Sequence, residues 1–238
     1  MDFPCGLARL TVVRHGQSTA NALFALAAES GDPALAVAEE TDRSVPLSEL
    51  GLRQARAAGR WLARLDPADH PAHVICSPYL RAVRTWDAMA ATARESGTGL
   101  PSPLVDERLR DREMGVLELL TPAAIGERHA AESARRERVG EWFYRPPGGE
   151  SLADVVLRVR DFLNELRVDA TGEHVMIIAH DAVVAAVQQV LAGIGAPPVG
   201  LTPVRNASLS QWDGDGTRMR LTALGATDHL EDEEPPAP

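Results

Sequence analysis

The sequence predicts an α/β fold, a three-layer α/β/α sandwich with a mostly parallel central sheet. Two observations predict it. Short β-like runs alternate with longer helical ones, and strands joined through helices pair in parallel. The run Val175-Met176-Ile177-Ile178-Ala179 is apolar at every position, the pattern of a central strand buried on both faces.

The elements follow in order. Residues 8–13 read as a strand whose apolar run ends abruptly in Arg14-His15-Gly16, with polar residues and a helix after it. Ser48 to Asp66 reads as a helix, with Leu52, Ala55, Leu62 and Leu65 at helical spacing and Ser48 as its N-cap. Residues 73–76 form a second strand, and Leu80 to about Arg94 a second helix. Ser151 to about Asp169 is a helix carrying Val155, Val159, Phe162, Leu163 and Leu166 on one side. After the strand at 175–179 a helix runs from about Ala182 to Ala192. Residues 207–213 and 218–224 flank Asp213-Gly214-Asp215-Gly216, the signal of a terminal hairpin.

One domain is expected over 1–227, with two additions. Residues 23–43 are alanine-rich and end acidic, suiting an inserted helix and loop; residues 121–145 are densely charged and suit a helical flap. From about Asp228 to the end the chain is acidic and proline-rich and is expected to be disordered. The length, 238 residues, is enough to bury a sizeable core.

Composition narrows the function. The net charge of −10 argues against nucleic-acid binding and against adhesion to anionic membranes. No apolar run approaches the roughly 18 residues of a membrane span. The start shows no secretory signal pattern, so a cytoplasmic location is expected. Cys5 and Cys76 form no metal-ligand spacing, and Cys76 reads as a core thiol. There is no lysine: all 24 basic residues are arginine, so any one arginine needs support from its context.

Two apolar strands end in histidine, Val12-Val13-Arg14-His15 and Ile177-Ile178-Ala179-His180. In a parallel sheet strand C-termini share one edge, where open α/β sheets put their ligand crevices, so His15 and His180 should face one crevice. A histidine beside Arg14 suits an anionic substrate attacked by a neutral imidazole. The strand at 73–76 ends in Ser77-Pro78, and the helix after it carries Arg81 and Arg84 in its first turns, close to an N-terminus that favours anions. Arg84 reads as solvated or salt-bridged. The other five histidines lack a strand-end context, and no His/Asp/Glu set has metal spacing.

The chain resembles the histidine phosphatase superfamily, in its phosphoglycerate mutase-like branch. Four ordered motifs carry the resemblance: Arg14-His15-Gly16-Gln17-Ser18 with Asn21; Pro46-Leu47-Ser48-Glu49-Leu50-Gly51 with Gln54-Ala55; Ser77-Pro78 with Leu80-Arg81-Ala82 and Thr85; and Gly148-Gly149-Glu150-Ser151 before the strand ending in His180. They span residues 10 to about 206. The resemblance implies that His15 attacks phosphorus and becomes a phosphohistidine, while Arg14, Arg81 and His180 bind the phosphoryl oxygens. It implies substrate contacts from Gly16, Gln17, Ser18 and Asn21. It calls for no metal and no cofactor; the partner is a small phosphorylated substrate.

The general acid departs from the pattern. The family places a Glu four residues before a Gly, and here that register, counted from Gly115, gives Asp111. Glu113 is nearer the glycine. Asp181 follows His180, as in the His-Asp pair of the acid phosphatase and phytase branch. Asp111 is favoured on register, with Asp181 and Glu113 as alternatives. The stretch Tyr144 to Ser151 is similar to the bisphosphatase domain of the fructose-2,6-bisphosphate enzymes, where a Tyr-Arg pair holds a second phosphate, so Arg145 is a candidate anion contact. The expected activity is hydrolysis of a small phosphate monoester. The alternatives are a phosphoglycerate mutase, or a binding module that uses the phosphate pocket. Oligomeric state is not legible.

Overall fold

The computed structural model describes residues 3–199 and 202–231. Six strands form one sheet in the order β3-β2-β4-β1-β5-β6. They are β1 (Arg9–Arg14), β2 (His73–Cys76), β3 (Leu104–Val105), β4 (His174–Ala179), β5 (Leu209–Gly214) and β6 (Met219–Ala226). β1 to β4 run parallel, and β5 and β6 close the far edge as an antiparallel hairpin. The helices are α1 (Thr19–Ser30), α2 (Glu49–Ala63), α3 (Leu80–Glu95), α4 (Pro122–Arg128), α5 (Ala130–Val139), α6 (Leu152–Asp169) and α7 (Asp181–Ala192).

The apolar strand β4 divides its side chains between two cores. Val175, Ile177 and Ala179 pack with α6 and α7 on one face. Met176 and Ile178 pack with α2 and α3 on the other. Both faces are covered, so the uninterrupted apolar run and the three-layer expectation have one cause. The connection after β1 leads to α2 on one face, and the connection after β4 leads to α7 on the other. β1 and β4 are neighbours, with Arg14 in register with Ala179. The C-terminal edge between them is therefore a switch point, where a crevice opens.

Local chemistry sets the helix starts. Ser48 caps α2 through a bond from the Gly51 N–H (3.0 Å). Ser18 with Asn21, and Ser151 with Asp154, form capping boxes at α1 and α6. The strand β3 was not expected; it is two residues long, at the sheet edge, with both side chains exposed, too short to leave a periodicity. The region 23–43 continues α1 to Ser30 and then runs without helix or strand to a 3-10 turn at Asp42–Ser44. The region 121–145 holds the short helices α4 and α5.

The expectation of disorder from Asp228 onward fails at its first residues. Asp228–Leu230 forms a 3-10 turn, Leu230 is buried with Ala57 and Ala207, and His229 bonds the Ala207 carbonyl. An acidic composition does not prevent one apolar side chain from anchoring its turn. The rest of that tail lies outside the described residues. Cys76 is a buried free thiol whose pKa burial pushes up to about 12. No described helix is long and apolar enough to cross a membrane.

Candidate active site

The register of β1 and β4 carries His15 and His180 one step past the paired strands, and their ring centroids lie 5.1 Å apart. Both are buried. His15 Nδ1 is 2.7 Å from the Gly16 carbonyl, which accepts only a hydrogen, so Nδ1 carries the proton. Arg81 Nε donates to His15 Nε2 at 3.2 Å, so Nε2 holds the lone pair. Burial, then Arg81, His180 and Arg14, keep the His15 pKa well below its ordinary value. The arrangement makes His15 a neutral nucleophile with Nε2 as the attacking atom.

The loop bearing His15 is fixed by backbone contact. A Cβ on Gly16 would lie 2.4 Å from the Gly51 carbonyl oxygen, and one on Gly51 would lie 2.0 Å from that of Gln17. Only glycines allow the nucleophile loop and the first turn of α2 to touch this way. The Gly16 N–H donates to Thr85 Oγ1 (3.0 Å), the Gln17 N–H to Gln54 Oε1 (2.9 Å) and the Ser18 N–H to Asn21 Oδ1 (3.1 Å). Ser18 also bridges to Leu47, and the Ser48 N–H bonds the Gln17 carbonyl (2.9 Å).

These bonds correct part of the expected substrate set. The N–H groups of Gly16, Gln17 and Ser18 are spent within the loop, so these residues shape it rather than offer backbone donors to a ligand. Ser18 and Asn21 do line the pocket, a cavity of about 520 Å³ at this edge. Asn21 Oδ1 accepts from Ser18 and from Asn206 Nδ2 (3.1 Å), which leaves its amide N–H groups toward the cavity.

Arg81, at the start of α3, is buried and central. Besides His15 it holds Asp111 Oδ2 at 2.8 Å and Asp42 by both carboxylate oxygens, at 2.9 and 3.0 Å. Arg14 donates to the Val204 carbonyl at 2.6 Å and stands 3.5 Å from Asp181. His180 Nε2 meets Ser77 Oγ at 2.8 Å. Its Nδ1 lies 3.1 Å from Asp111 Oδ2 but is too poorly aligned for a hydrogen bond. Arg14 Nε is thus a buried polar atom without a hydrogen-bond partner among the described residues, and His180 Nδ1 faces the Asp111 carboxylate alone. An unpartnered guanidinium nitrogen on Arg14, with the Arg81 guanidinium and His180 beside it, makes this edge fit for an anion.

Three carboxylates compete to be the acid. Burial alone would raise the Asp111 pKa, but His180, Arg81 and His15 overcome it and hold the carboxyl well below its usual range. Asp181 lines the pocket at the start of α7, half exposed, accepting from its neighbouring Ala182 N–H (2.8 Å). Glu113 also lines it and pairs with Arg110 at 3.1 Å.

Arg145 is a correction. Its guanidinium forks onto Asp154, the capping residue of α6, and is mostly exposed outside the pocket. The carboxylate that caps the helix captures the arginine and turns it away. Arg84, also exposed, stands 3.5 Å from Asp87 as expected.

Sequence reasoning assigned no role to several residues that build the site. Glu150 accepts from Arg110 (2.6 Å), Arg158 (2.9 Å) and the Glu113 N–H (3.2 Å), while Arg158 reaches the Asp111 carbonyl (3.0 Å). That network fixes the loop bearing Asp111. Glu150 stood in the Gly148-Gly149-Glu150-Ser151 motif, so its signal was visible. Tyr79 packs under Arg81, ring centroid to guanidinium carbon 4.9 Å. Asp42 had no signal at all.

Among the described residues, one group could hold a metal ion: His15, Asp111 and His180, whose ligand atoms lie within 4.8 Å of one another. Arg81 already donates to His15 Nε2 and to Asp111, so the lone pairs a metal would need face a fixed cation.

A family model for the histidine phosphatase superfamily (branch 1) matches residues 10–227. Two phosphoglycerate mutase-like proteins of Arabidopsis thaliana, AT74H and AT74, are 30% and 34% identical over 72% and 66% of this chain. The chain spans only 61% and 46% of their lengths. Fructose-2,6-bisphosphatase TIGAR B of Danio rerio is 30% identical over 93% of this chain and 76% of its own. The native structure of mycobacterial glucosyl-3-phosphoglycerate phosphatase superposes with a TM-score of 0.70 at 28% identity, covering 92% of this chain and 99% of that one.

Proposed function

The chain belongs to the histidine phosphatase superfamily, branch 1, and on that premise we propose that it is a metal-independent phosphatase acting on a small phosphate monoester. The observation that carries this reading is the unprotonated Nε2 of His15, aimed by Arg81, beside the unpartnered Nε of Arg14 and the buried His180.

In the first step His15 Nε2 forms a bond to phosphorus as the ester P–O bond breaks, and the departing alkoxide takes a proton from a carboxyl group. Arg14, Arg81 and His180 stabilise charge on the phosphoryl oxygens. In the second step a water oxygen attacks phosphorus, the N–P bond breaks, and the carboxylate takes the water's proton. Neutral His15 and inorganic phosphate result. Asp111 fits the acid role by position. It is ionised at rest, and a phosphoryl dianion arriving at Arg81 would oppose that charge and raise its pKa toward protonation.

A phosphoglycerate mutase is the second reading, supported by the named character of the two Arabidopsis relatives. It would need cations for a substrate carboxylate. Beyond Arg14 and Arg81, the lining cations Arg112 and Arg136 both reach Glu141, at 2.5 Å each. Glu113, Glu118 and Asp181 add negative charge to the same wall. This favours hydrolysis of an ester with few further charges.

The test is turnover of p-nitrophenyl phosphate with and without EDTA, with trapping of phosphate on His15. Turnover unaffected by EDTA and abolished in H15A is expected. Equal turnover by H15A, or loss with EDTA, overturns the reading. Primer-dependent interconversion of 3- and 2-phosphoglycerate would favour the mutase.

A further inference from the structure

We propose that Asp42 is a resident stand-in for the substrate's phosphoryl group, so that substrate binds by exchanging with it on Arg81. The proposal rests on the reading of the pocket as a phosphoryl site.

A guanidinium has five N–H donors. In Arg81 all five are engaged: Nε on His15, Nη1 on the Asp42 carbonyl (2.6 Å) and Asp42 Oδ1 (2.9 Å), Nη2 on Asp42 Oδ2 (3.0 Å) and Asp111 Oδ2 (2.8 Å). Three of the five belong to Asp42. A bidentate carboxylate on arginine has the geometry by which arginine grips two phosphate oxygens. The opposing anion that Arg81 needs is therefore already present, supplied by the chain itself. A phosphoryl group bonded to His15 Nε2 cannot use Arg81 while Asp42 remains there.

The contacts that hold Asp42 down are of two kinds. The grip on Arg81 is buried and strong. Others along the strap are at the surface: the Asp42 N–H on Glu118 (2.7 Å), Arg43 on Glu107 (3.0 Å), Thr19 on Glu39 (3.3 Å) and Arg128 on the Pro33 carbonyl (3.3 Å). Exposed pairs of this kind contribute little, on the order of 0–1 kcal/mol. Between α1 and Asp42 the chain has no helix or strand to brace it. The strap from 31 to 44 is thus fastened chiefly through Arg81, and an anion that takes Arg81 releases it. Burial and the neighbouring Asp111 both disfavour the Asp42 carboxylate, against the pull of Arg81, so its departure to water relieves a crowded pair of negative charges.

The experiment is calorimetric titration of inorganic phosphate into the full chain and its variants. D42N and D42A should bind phosphate at least about 10-fold more tightly than wild type, because an internal competitor is gone. E113Q removes a negative charge from the same pocket without touching Arg81, and should change affinity less than about 3-fold, since that charge is exposed. R43A loosens the strap while removing a positive charge. The exchange predicts tighter binding, whereas simple electrostatics predicts weaker. Unchanged or weaker binding in both Asp42 variants overturns the proposal, as does an equal gain in E113Q. If Asp42 variants do not fold, hydrogen exchange of residues 31–44 in the wild-type chain decides: faster exchange at saturating inorganic phosphate is expected, and unchanged or slower exchange refutes the release of the strap. Wild-type turnover through phosphohistidine with unchanged affinity in D42N and D42A would refute the exchange and leave the phosphatase reading standing. No turnover and no phosphate binding in any form would remove both.

Discussion

Arg81 Nε donates to His15 Nε2 across 3.2 Å, so the residue that steadies the phosphoryl group also aims the atom that attacks it. After burial, the positive charge of Arg81 also helps keep His15 unprotonated. One side chain thus directs the nucleophile, while burial is the larger cause of its neutrality and the Gly16 carbonyl fixes its tautomer.

Arg81→Lys keeps the positive charge but not the fork that spans His15, Asp42 and Asp111. Its kcat on p-nitrophenyl phosphate should fall by about 10²-fold or more, the usual loss when one transition-state donor is removed. Steady-state kinetics checks this. A loss confined to KM would mean that Arg81 only binds substrate.

Asp111→Asn should separate leaving groups. An alkyl phosphate needs a proton on its departing oxygen, and its turnover should fall by about 10²–10⁴-fold. p-Nitrophenolate leaves with little help, so that substrate should lose much less. If Asp181→Asn gives this split and D111N does not, the acid is Asp181.

Gly51→Ala would drive a Cβ to within 2.0 Å of the Gln17 carbonyl oxygen. Backbone cannot swing aside as a side chain can, so the loop must shift. A destabilisation of about 1–3 kcal/mol is expected, read by urea unfolding, together with a lower kcat in the fraction that folds. Gly16→Ala should behave alike.

Stability should decline below neutrality. His15, His174, His180 and His229 all have pKa values lowered from 6.5, chiefly by burial. The unfolded chain therefore binds protons first as pH falls, which favours unfolding. Their contribution is full above 6.5 and is lost as pH drops from there toward each native value. Asp111, held low in the native state, adds a further loss once pH falls below its unfolded value of 3.8. Urea midpoints at pH 8, 6.5 and 5 measure the first part. A flat profile across that range would contradict it.

What the sequence revealed followed from strong local constraint. β1 and β4 were legible because each apolar run stops at a histidine, and their parallel pairing alone brings His15 to His180. α2 and α6 were legible from Ser48, Ser151 and the spacing of apolar residues behind them. Arg145 misled because the motif gives a residue type but not a direction, which Asp154 decides. Asp42 was hidden because its partner lies 39 positions away, in a segment without periodicity. Glu150 was visible as part of a motif, but its work, holding the Asp111 loop through Arg158, exists only in three dimensions.

The bridge between Ser18 and Leu47, with the Gly16–Gly51 contact beside it, places both feet of the segment from 19 to 46 next to the nucleophile. Asn21 braces Ser18 from within the segment, but the join draws nothing from residues 31–41. Doubling the length of such a segment costs only about 0.6 kcal/mol in closure entropy. The machinery can therefore keep its geometry while the segment above it is shortened, extended or exchanged. That makes residues 31–41, between the end of α1 and Asp42, a natural cassette for grafting new substrate preferences onto an unchanged His15.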